Sequence, residues 1–539
     1  MQPFWRRFWI CTAIMVVALI AYWPATRAEF VSWDDDKIVL QNPALDKPFI
    51  ERWIKPYQGM YMPTTQTVYQ LMAILGRIPG EGEKPQFNPW VFHWTMVVVR
   101  LLNIPAVFIL LRRIVDDDWA VAAGTALMAL HPIGDEALAW ITEVSTPLGT
   151  LFAVLCLWQW MLFRQKSSKR WFYYSAAVVL YLLALTSKPM CVFVPMMAWA
   201  LDVFILKVKW KRSLRDLSPW LLPAAGISIW MKHLQLPPSG FWIPPLWQRP
   251  AVAMDAVVFY LGKILIPRDF GIDYGRTPHW VLMQHGMLLL EGLAIILLAG
   301  GLWRFRRHWR GSIFICAAIF FVAGMGAVLG LTPFWFQVYS TVADRYVYLP
   351  MLGIALAVAG LLAGVRNSLP WIAVAAALIG CATLTYRQVQ TWHDSYALYA
   401  HAIEVHPNSW MAWDNTAYEL VQDNQPVRSL PLARVAYALD SSQTDIYSSI
   451  GMVLAMQGDP RQAIPYFRRV IYSNPDDPVT AMNLGAAYTQ LHQYDLGIQW
   501  LQRAVKFNRT SKKAQWLLKG AIQMRDQHHH STTPTTTQP

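Results

Sequence analysis
The first 387 residues alternate between long apolar runs and short polar or basic connections. A run of about 20 mostly apolar residues is long enough to cross a bilayer as a helix. Such runs predict helices near 8–25, 91–111, 119–133, 147–163, 171–187, 190–206, 217–232, 284–303, 311–331, 346–365 and 369–386, about eleven spans. Between them, basic residues gather at Arg6-Arg7, Arg112-Arg113, Arg164 to Arg170, Lys207 to Arg215, Arg304 to Arg310 and Arg366. Basic loops stay cytoplasmic, and with these spans every cluster falls on the side of the N-terminus. Counting "VAMDAVVFYLGKILI" (252–266) as a further span would move "RFRRHWR" (304–310) outside, so it is read as an interfacial or re-entrant helix within an outer loop. An odd number of spans then places the loops 26–90, 134–146, 233–283 and 332–345, and everything after 387, in one extracytoplasmic compartment.

The pattern changes after Tyr386. Charge density rises, and helix-pair features recur with the 34-residue period of tetratricopeptide repeats. Ala402, Ala436, Val470 and Ala504 share one phase; Ala417, Gly451 and Gly485 share another; Pro407 and Pro475 mark helix ends. Small residues at fixed phases let paired helices approach, and stacked pairs form a superhelix with a concave binding face. The predicted fold is all-α: a polytopic bundle over 1–387, a tetratricopeptide α-solenoid over 388–526, and a disordered tail over 527–539 ("QHHHSTTPTTTQP"). His528, His529 and His530 are read as solvated side chains of that tail.

Composition agrees with a membrane class: 55% of residues are hydrophobic and 15% charged, against about 25% charged in a soluble domain. The net charge of +13 lies in clusters beside apolar segments, which assigns it to topology and gives no reason to expect nucleic acid as a partner. All five cysteines lie in apolar segments without metal-ligand spacing and receive no role. The basic start "MQPFWRR" and its apolar run lack a small-residue cleavage site and read as a retained first span. The chain has no GxxxxGK[ST], GxSxG, HExxH or paired CxxC motif, which argues against a nucleotide-driven pump.

Candidate chemistry collects at the outer face. "FVSWDDDKIVLQNP" (30–43) sets Asp34, Asp35 and Asp36 just beyond the first span, ahead of an extended "IVLQNP". A carboxylate held there can act as general base towards a hydroxyl, or as a ligand of a divalent cation if one is used. "LHPIGDEALAWITEVS" (130–145) carries Asp135, Glu136 and Glu143, and on a short helix Glu136, Trp140 and Glu143 would share a face at i, i+4, i+7. Lys188 ends the fifth span, and Asp344 and Arg345 begin the tenth. These cations can hold a phosphate; the plainer alternative is interfacial anchoring and salt bridging. Arg100 lies mid-span, where a charge costs roughly 2.5–3.5 kcal/mol on insertion scales unless it faces protein or water. With His93 and Asn103 it forms a polar stripe. His93 and Arg100 are cavity candidates, whereas Asn103 is assigned to packing.

In order along the chain, these stretches resemble the transmembrane and tetratricopeptide-repeat O-mannosyltransferases and their bacterial relatives, within the GT-C superfamily of lipid-phosphate-sugar-dependent glycosyltransferases. The carriers are "FVSWDDDKIVLQNP", "YMPTTQTVYQL", "FHWTMVVVRLLN", "LHPIGDEALAWITE", "LTSKPMCVFVPMMAWALD" and "ADRYVYLPMLGIAL", followed by repeats. The resemblance implies a polyprenyl-phosphate-linked sugar as donor and transfer to a hydroxyl, protein Ser or Thr, outside the bacterial inner membrane, with inversion. It implies Asp35 or Asp34 as the base, with a slight preference for Asp35 and with Asp36 as a solvated neighbour. Glu136 and Glu143 would orient acceptor or base, and Arg345 and Lys188 would bind the donor phosphate. The chain departs from the family pattern at Pro189, where Glu is usual, at Arg100, where His is usual, and after "GDEALAWITEVSTP", where an Arg-Lys-Asp run is missing. Donor or acceptor specificity is therefore open. The repeats would recruit an extracytoplasmic protein acceptor. Alternatives are transfer to a glycolipid or envelope polymer, a membrane-anchored repeat scaffold without catalysis, and a transporter.

Overall fold
The computed structural model describes residues 3–79, 86–165, 168–235, 242–509 and 511–532. It is helical almost throughout; among the described residues the only sheet is the short antiparallel pair Arg77–Ile78 and Gln86–Phe87. The chain divides into two compact units, Met1–Leu398 and Tyr399–Pro539.

Helices occupy all eleven predicted spans in the first unit. Among the described residues, six helices are long and apolar enough to cross a membrane: Phe4–Arg27, Pro89–Arg112, Ile141–Arg164, His285–Phe305, Arg310–Val328 and Ser368–Gln390. Asp118–Leu130, Pro189–Ile205 and Met351–Leu362 are apolar but shorter, and the remaining positions hold Arg170–Ser187 and Trp210–Leu234. The stretch read as a re-entrant or interfacial helix is the 17-residue helix Arg249–Leu265. Close helix approach depends on missing side chains, as is usual where small residues line membrane helix crossings. A Cβ on Gly353 would lie 2.8 Å from the backbone nitrogen of Phe321, and one on Gly324 would lie 2.8 Å from that of Pro350.

The basic clusters are tied together at one end of this bundle. Arg6, Arg7 and Arg112 all pair with Asp118, whose neighbour Asp117 caps its own helix and accepts from the Gly364 amide at 3.1 Å. Arg310 donates to the Ala363 carbonyl (2.7 Å), Lys207 to Ser312 (2.9 Å), and Arg164 pairs with Asp202 and Asp216. Charge that hydropathy alone assigns to loops is thus also what fastens the helix ends to each other.

The second unit is built from helix pairs: Trp410–Gln422 with Pro426–Leu439, Thr444–Met456 with Pro460–Ser473, and Pro478–Gln490 with Tyr494–Phe507. The small-residue phase does what the period predicts. Gly451 faces the Phe467 ring, and a Cβ on Gly485 would lie 2.9 Å from the Gly497 carbonyl and 3.0 Å from the Leu501 amide. Lys512–Thr532 closes the array as one helix. The tail expected to be disordered from 527 is therefore helical through Thr532, because the helix continues past the low-complexity boundary; residues 533–539 lie outside those described. His528 is exposed on this helix, and the side chains of His529 and His530 lie outside the described set.

Candidate active site
The segment "IVLQNP" behind the aspartates is not extended. Residues Asp36–Leu40 close a single wide helical turn, started by the Lys37 and Ile38 amides bonding to the Asp34 carbonyl at 3.0 and 2.9 Å. This turn aims neighbouring carboxylates in different directions. Asp35 points inward and is buried: Oδ2 accepts from the Val31 amide (3.1 Å), while Oδ1 accepts from the Thr142 amide (3.1 Å) and hydroxyl (2.6 Å). Thr142 is held in turn by Tyr69, whose hydroxyl donates to its carbonyl at 2.5 Å. Tyr69 stands on Pro63–Gly76, the helix formed by the "PTTQTVYQL" segment. Asp34 is partly exposed, and among the described residues its carboxylate has no hydrogen-bond or ion-pair partner.

Glu136 and Glu143 were expected on one helical face. The helix Glu136–Ala139 stops at Trp140, which is extended, and a 3-10 turn Ile141–Val144 follows. The two carboxylates still converge, because both reach Arg345. Glu136 accepts from the Arg345 amide (2.6 Å) and from Nη1 (3.1 Å), while Arg345 Nε lies 3.7 Å from Glu143 Oε1. Lys188 Nζ contacts both Glu143 oxygens, at 2.8 and 3.0 Å, and Ser145 Oγ at 3.2 Å. Gly149 permits this approach, since a Cβ there would lie 2.9 Å from that of Lys188. The result is an alternating row, Glu136, Arg345, Glu143, Lys188. The guanidinium also lies over Phe336 (4.3 Å), Tyr346 (4.9 Å) and Trp140 (5.3 Å).

Burial dominates the proton affinities here. It pushes Asp34 up to about 6, with Lys37 and Arg345 pulling the other way, and Asp35 up to about 7 against the hydrogen bonds of Thr142 and Val31. Glu136 is raised by burial and drawn back by Arg345. Burial opposes charge on Arg345 as well, but Glu136, with Tyr346 and Glu143, outweighs it and holds the guanidinium charged. Asp344, beside it, is raised by burial and by Asp135 and Glu136, and it accepts from the Tyr274 hydroxyl at 2.7 and 2.8 Å. Nothing in the 233–283 loop marked Tyr274 in sequence; it is found only because that loop returns 70 residues later in the chain.

The cavity candidates lie elsewhere. Arg100 donates to the Tyr22 hydroxyl (2.9 Å), the Gly134 carbonyl (2.5 Å) and the Ala129 carbonyl (3.4 Å), between the rings of Tyr22 and Tyr348. Its hydrogen-bonding capacity goes into helix packing, as does that of Asn103, which donates to Val99 and Pro147 carbonyls. His93 meets the Glu29 carbonyl at 3.2 Å and is otherwise enclosed. The pair Asp34 and Asp35 does not fit a divalent cation, because three donors already address the Asp35 oxygens. No group of three His, Cys, Asp or Glu side chains able to hold a metal comes together among the described residues.

The fold and this row of charges define a multi-pass helical membrane protein with a buried acid-and-cation site and a tetratricopeptide array. Comparison with known proteins agrees for the array: a tetratricopeptide-repeat family matches residues 454–522. No curated protein matches the sequence. Solved structures returned as similar include YrrB, a TPR protein with an unusual peptide-binding site (18% identity, 31% of this chain and 93% of that one, TM-score 0.20). Yeast Tom70 is also returned (12%, 72% and 90%, 0.25), as is ArnT from Cupriavidus metallidurans bound to undecaprenyl phosphate (13%, 88% and 81%, 0.38). Superpositions this loose carry no argument about fold or ligand.

Proposed function
We propose that this chain is a membrane glycosyltransferase that moves a sugar from a polyprenyl-phosphate donor to a hydroxyl of an extracytoplasmic protein. The supporting observation is one uncommitted carboxylate, Asp34, that lies within the electrostatic influence of Arg345, a guanidinium fixed by two glutamates. A base must reach a substrate hydroxyl, and Asp34 is open to do so while Asp35 is spent on its own loop. Asp34, rather than Asp35, is therefore the base. Asp34 takes the acceptor proton, the acceptor oxygen attacks the anomeric carbon, and the bond to phosphate breaks with its electron pair leaving on the phosphate oxygen. Attack opposite the leaving group inverts the anomeric centre. Arg345, with Lys188 behind Glu143, supplies positive charge where the phosphate charge grows. Glu136 and Glu143 act as positioning residues for these cations. The ordered motifs shared with the GT-C relatives support the donor class, and the repeats support a protein acceptor. In this reading the N-terminus is cytoplasmic, and the site and repeats face the periplasm of a bacterial inner membrane.

The test is transfer from a labelled polyprenyl-phosphate sugar by purified protein in lipid. Asp34→Asn is expected to lose about 10²–10⁴-fold in rate, the usual share of a general base. Full activity in Asp34→Asn would remove Asp34 from the chemistry, and no transfer by the wild-type protein from any such donor would end the assignment.

A further inference from the structure
The chain leaves its last apolar helix, Ser368–Gln390, through a short segment that turns back onto the candidate site. Trp392 is buried, with its indole nitrogen donating to Asp135 Oδ2 at 3.1 Å. Its ring lies near-parallel to Trp140, with centroids 6.1 Å apart and planes at 21°. Asp135 precedes the glutamate that grips Arg345, and Trp140 lies under the Arg345 guanidinium. One indole thus supports the phosphate-binding side of the row from two directions.

The same segment holds the opposite side. The His393 carbonyl accepts from the Glu29 amide at 2.8 Å, and Ser395 Oγ accepts from the Ser32 amide at 3.0 Å, with the two serine hydroxyls 3.2 Å apart. Ser32 stands two residues before Asp34 and next to Trp33, which packs on Trp140 at 6.3 Å. Residues 392–395 thus touch both the segment leading into the acidic turn and the shelf under Arg345, beside the direct ties Asp35–Thr142 and Trp33–Trp140. They are also the covalent route from the membrane bundle to the repeats.

We infer that Trp392 and Ser395 are positioning residues that set the Asp34 turn and the Arg345 shelf in register with each other. This rests on the glycosyltransferase reading for its kinetic consequence, but not for its structural one. Neither residue touches the reacting atoms; each acts through a neighbour. Reaction rates respond steeply to such register, since a misplacement of about 1 Å can cost about 10²-fold.

The experiment uses the full chain in lipid with two readouts. In the transfer assay, Trp392→Ala is expected to lower kcat by about 100-fold with the donor KM changed less than about twofold, and Trp392→Phe, which keeps the stack but not the N–H, to recover most of that loss. Ser395→Ala should lower kcat by about 10-fold. By hydrogen exchange, Trp392→Ala and Ser395→Ala should each speed exchange in residues 30–36 and 140–143 while the other bundle helices keep their protection. Variants with wild-type kcat and unchanged local exchange would overturn the inference, as would loss that always follows global loss of protection. If Trp392→Ala does not fold, Trp392→Phe and Ser395→Ala decide by the same criteria. A wild-type protein that transfers no sugar, yet shows the local exchange changes, would overturn the glycosyltransferase reading and leave the mechanical link standing.

Discussion
Asp34 and Asp35 are adjacent and chemically identical, and the structure separates them by what surrounds each. Asp35 accepts three hydrogen bonds and ties the acidic turn to Thr142. Replacing it with Asn sets an amide N–H against at least one of these donors, and an unmatched buried polar group costs about 1–3 kcal/mol. Asp35→Asn is therefore expected to lower the thermal midpoint in detergent, with activity following the folded fraction. Asp34→Asn should leave that midpoint near wild type and remove activity instead. The working form of Asp34 is the carboxylate, so its elevation to about 6 sets the sign of the pH dependence. With donor and acceptor protonation constant, kcat/KM should fall tenfold per pH unit below about 6 and level off above it. A rate independent of pH over roughly one unit either side of that value would exclude Asp34 as the base.

At the level of elements, the structure reassigns Arg100 and explains the glycine phases. Removing Arg100 orphans the Gly134 carbonyl and breaks its bridge to Tyr22 on the first helix. Each buried group left unpaired costs about 1–3 kcal/mol, so Arg100→Met should destabilise the bundle in thermal unfolding while kcat per folded molecule stays unchanged. In the array, Gly485→Ala must push Leu501 or the Gly497 backbone aside. Overpacking of this kind costs about 1–3 kcal/mol, and limited proteolysis of the full chain should show faster cleavage within 478–507 with the bundle helices still protected. Both elements were visible as patterns in the sequence. The stripe His93, Arg100 and Asn103 declared that its helix faces protein, but a stripe cannot say whether protein or substrate waits opposite. The segment Glu136 to Glu143 departs from its spacing for a related reason: spacing assumes one continuous helix, whereas the chain breaks at Trp140, where the segment meets Trp392, Arg345 and, through Thr142, Asp35.

Across the whole molecule, the basic clusters meet at one end of the bundle through Asp118, Asp117 and Ser312, while the acidic turn and Arg345 belong to the other. The positive-inside rule predicts that the basic end faces the cytoplasm. A cysteine placed at exposed Lys37 should react with a membrane-impermeant maleimide in intact spheroplasts, and one at exposed Lys211 only after permeabilisation. The reverse pattern would invert the topology and put the candidate site inside. Hydropathy and a 34-residue period are local properties of the chain, so the sequence alone determined the spans, the sidedness expected of them and the helix-pair array. Ordered motifs likewise brought Asp34, Asp35, Glu136, Glu143, Lys188 and Arg345 into view. Only the tertiary structure decided which carboxylate is free, that Arg100 braces helices, and that Tyr274 and Trp392 bear on the site. Those outcomes depend on contacts between residues 29 to 257 positions apart, and no periodicity or spacing in a single chain encodes such a meeting.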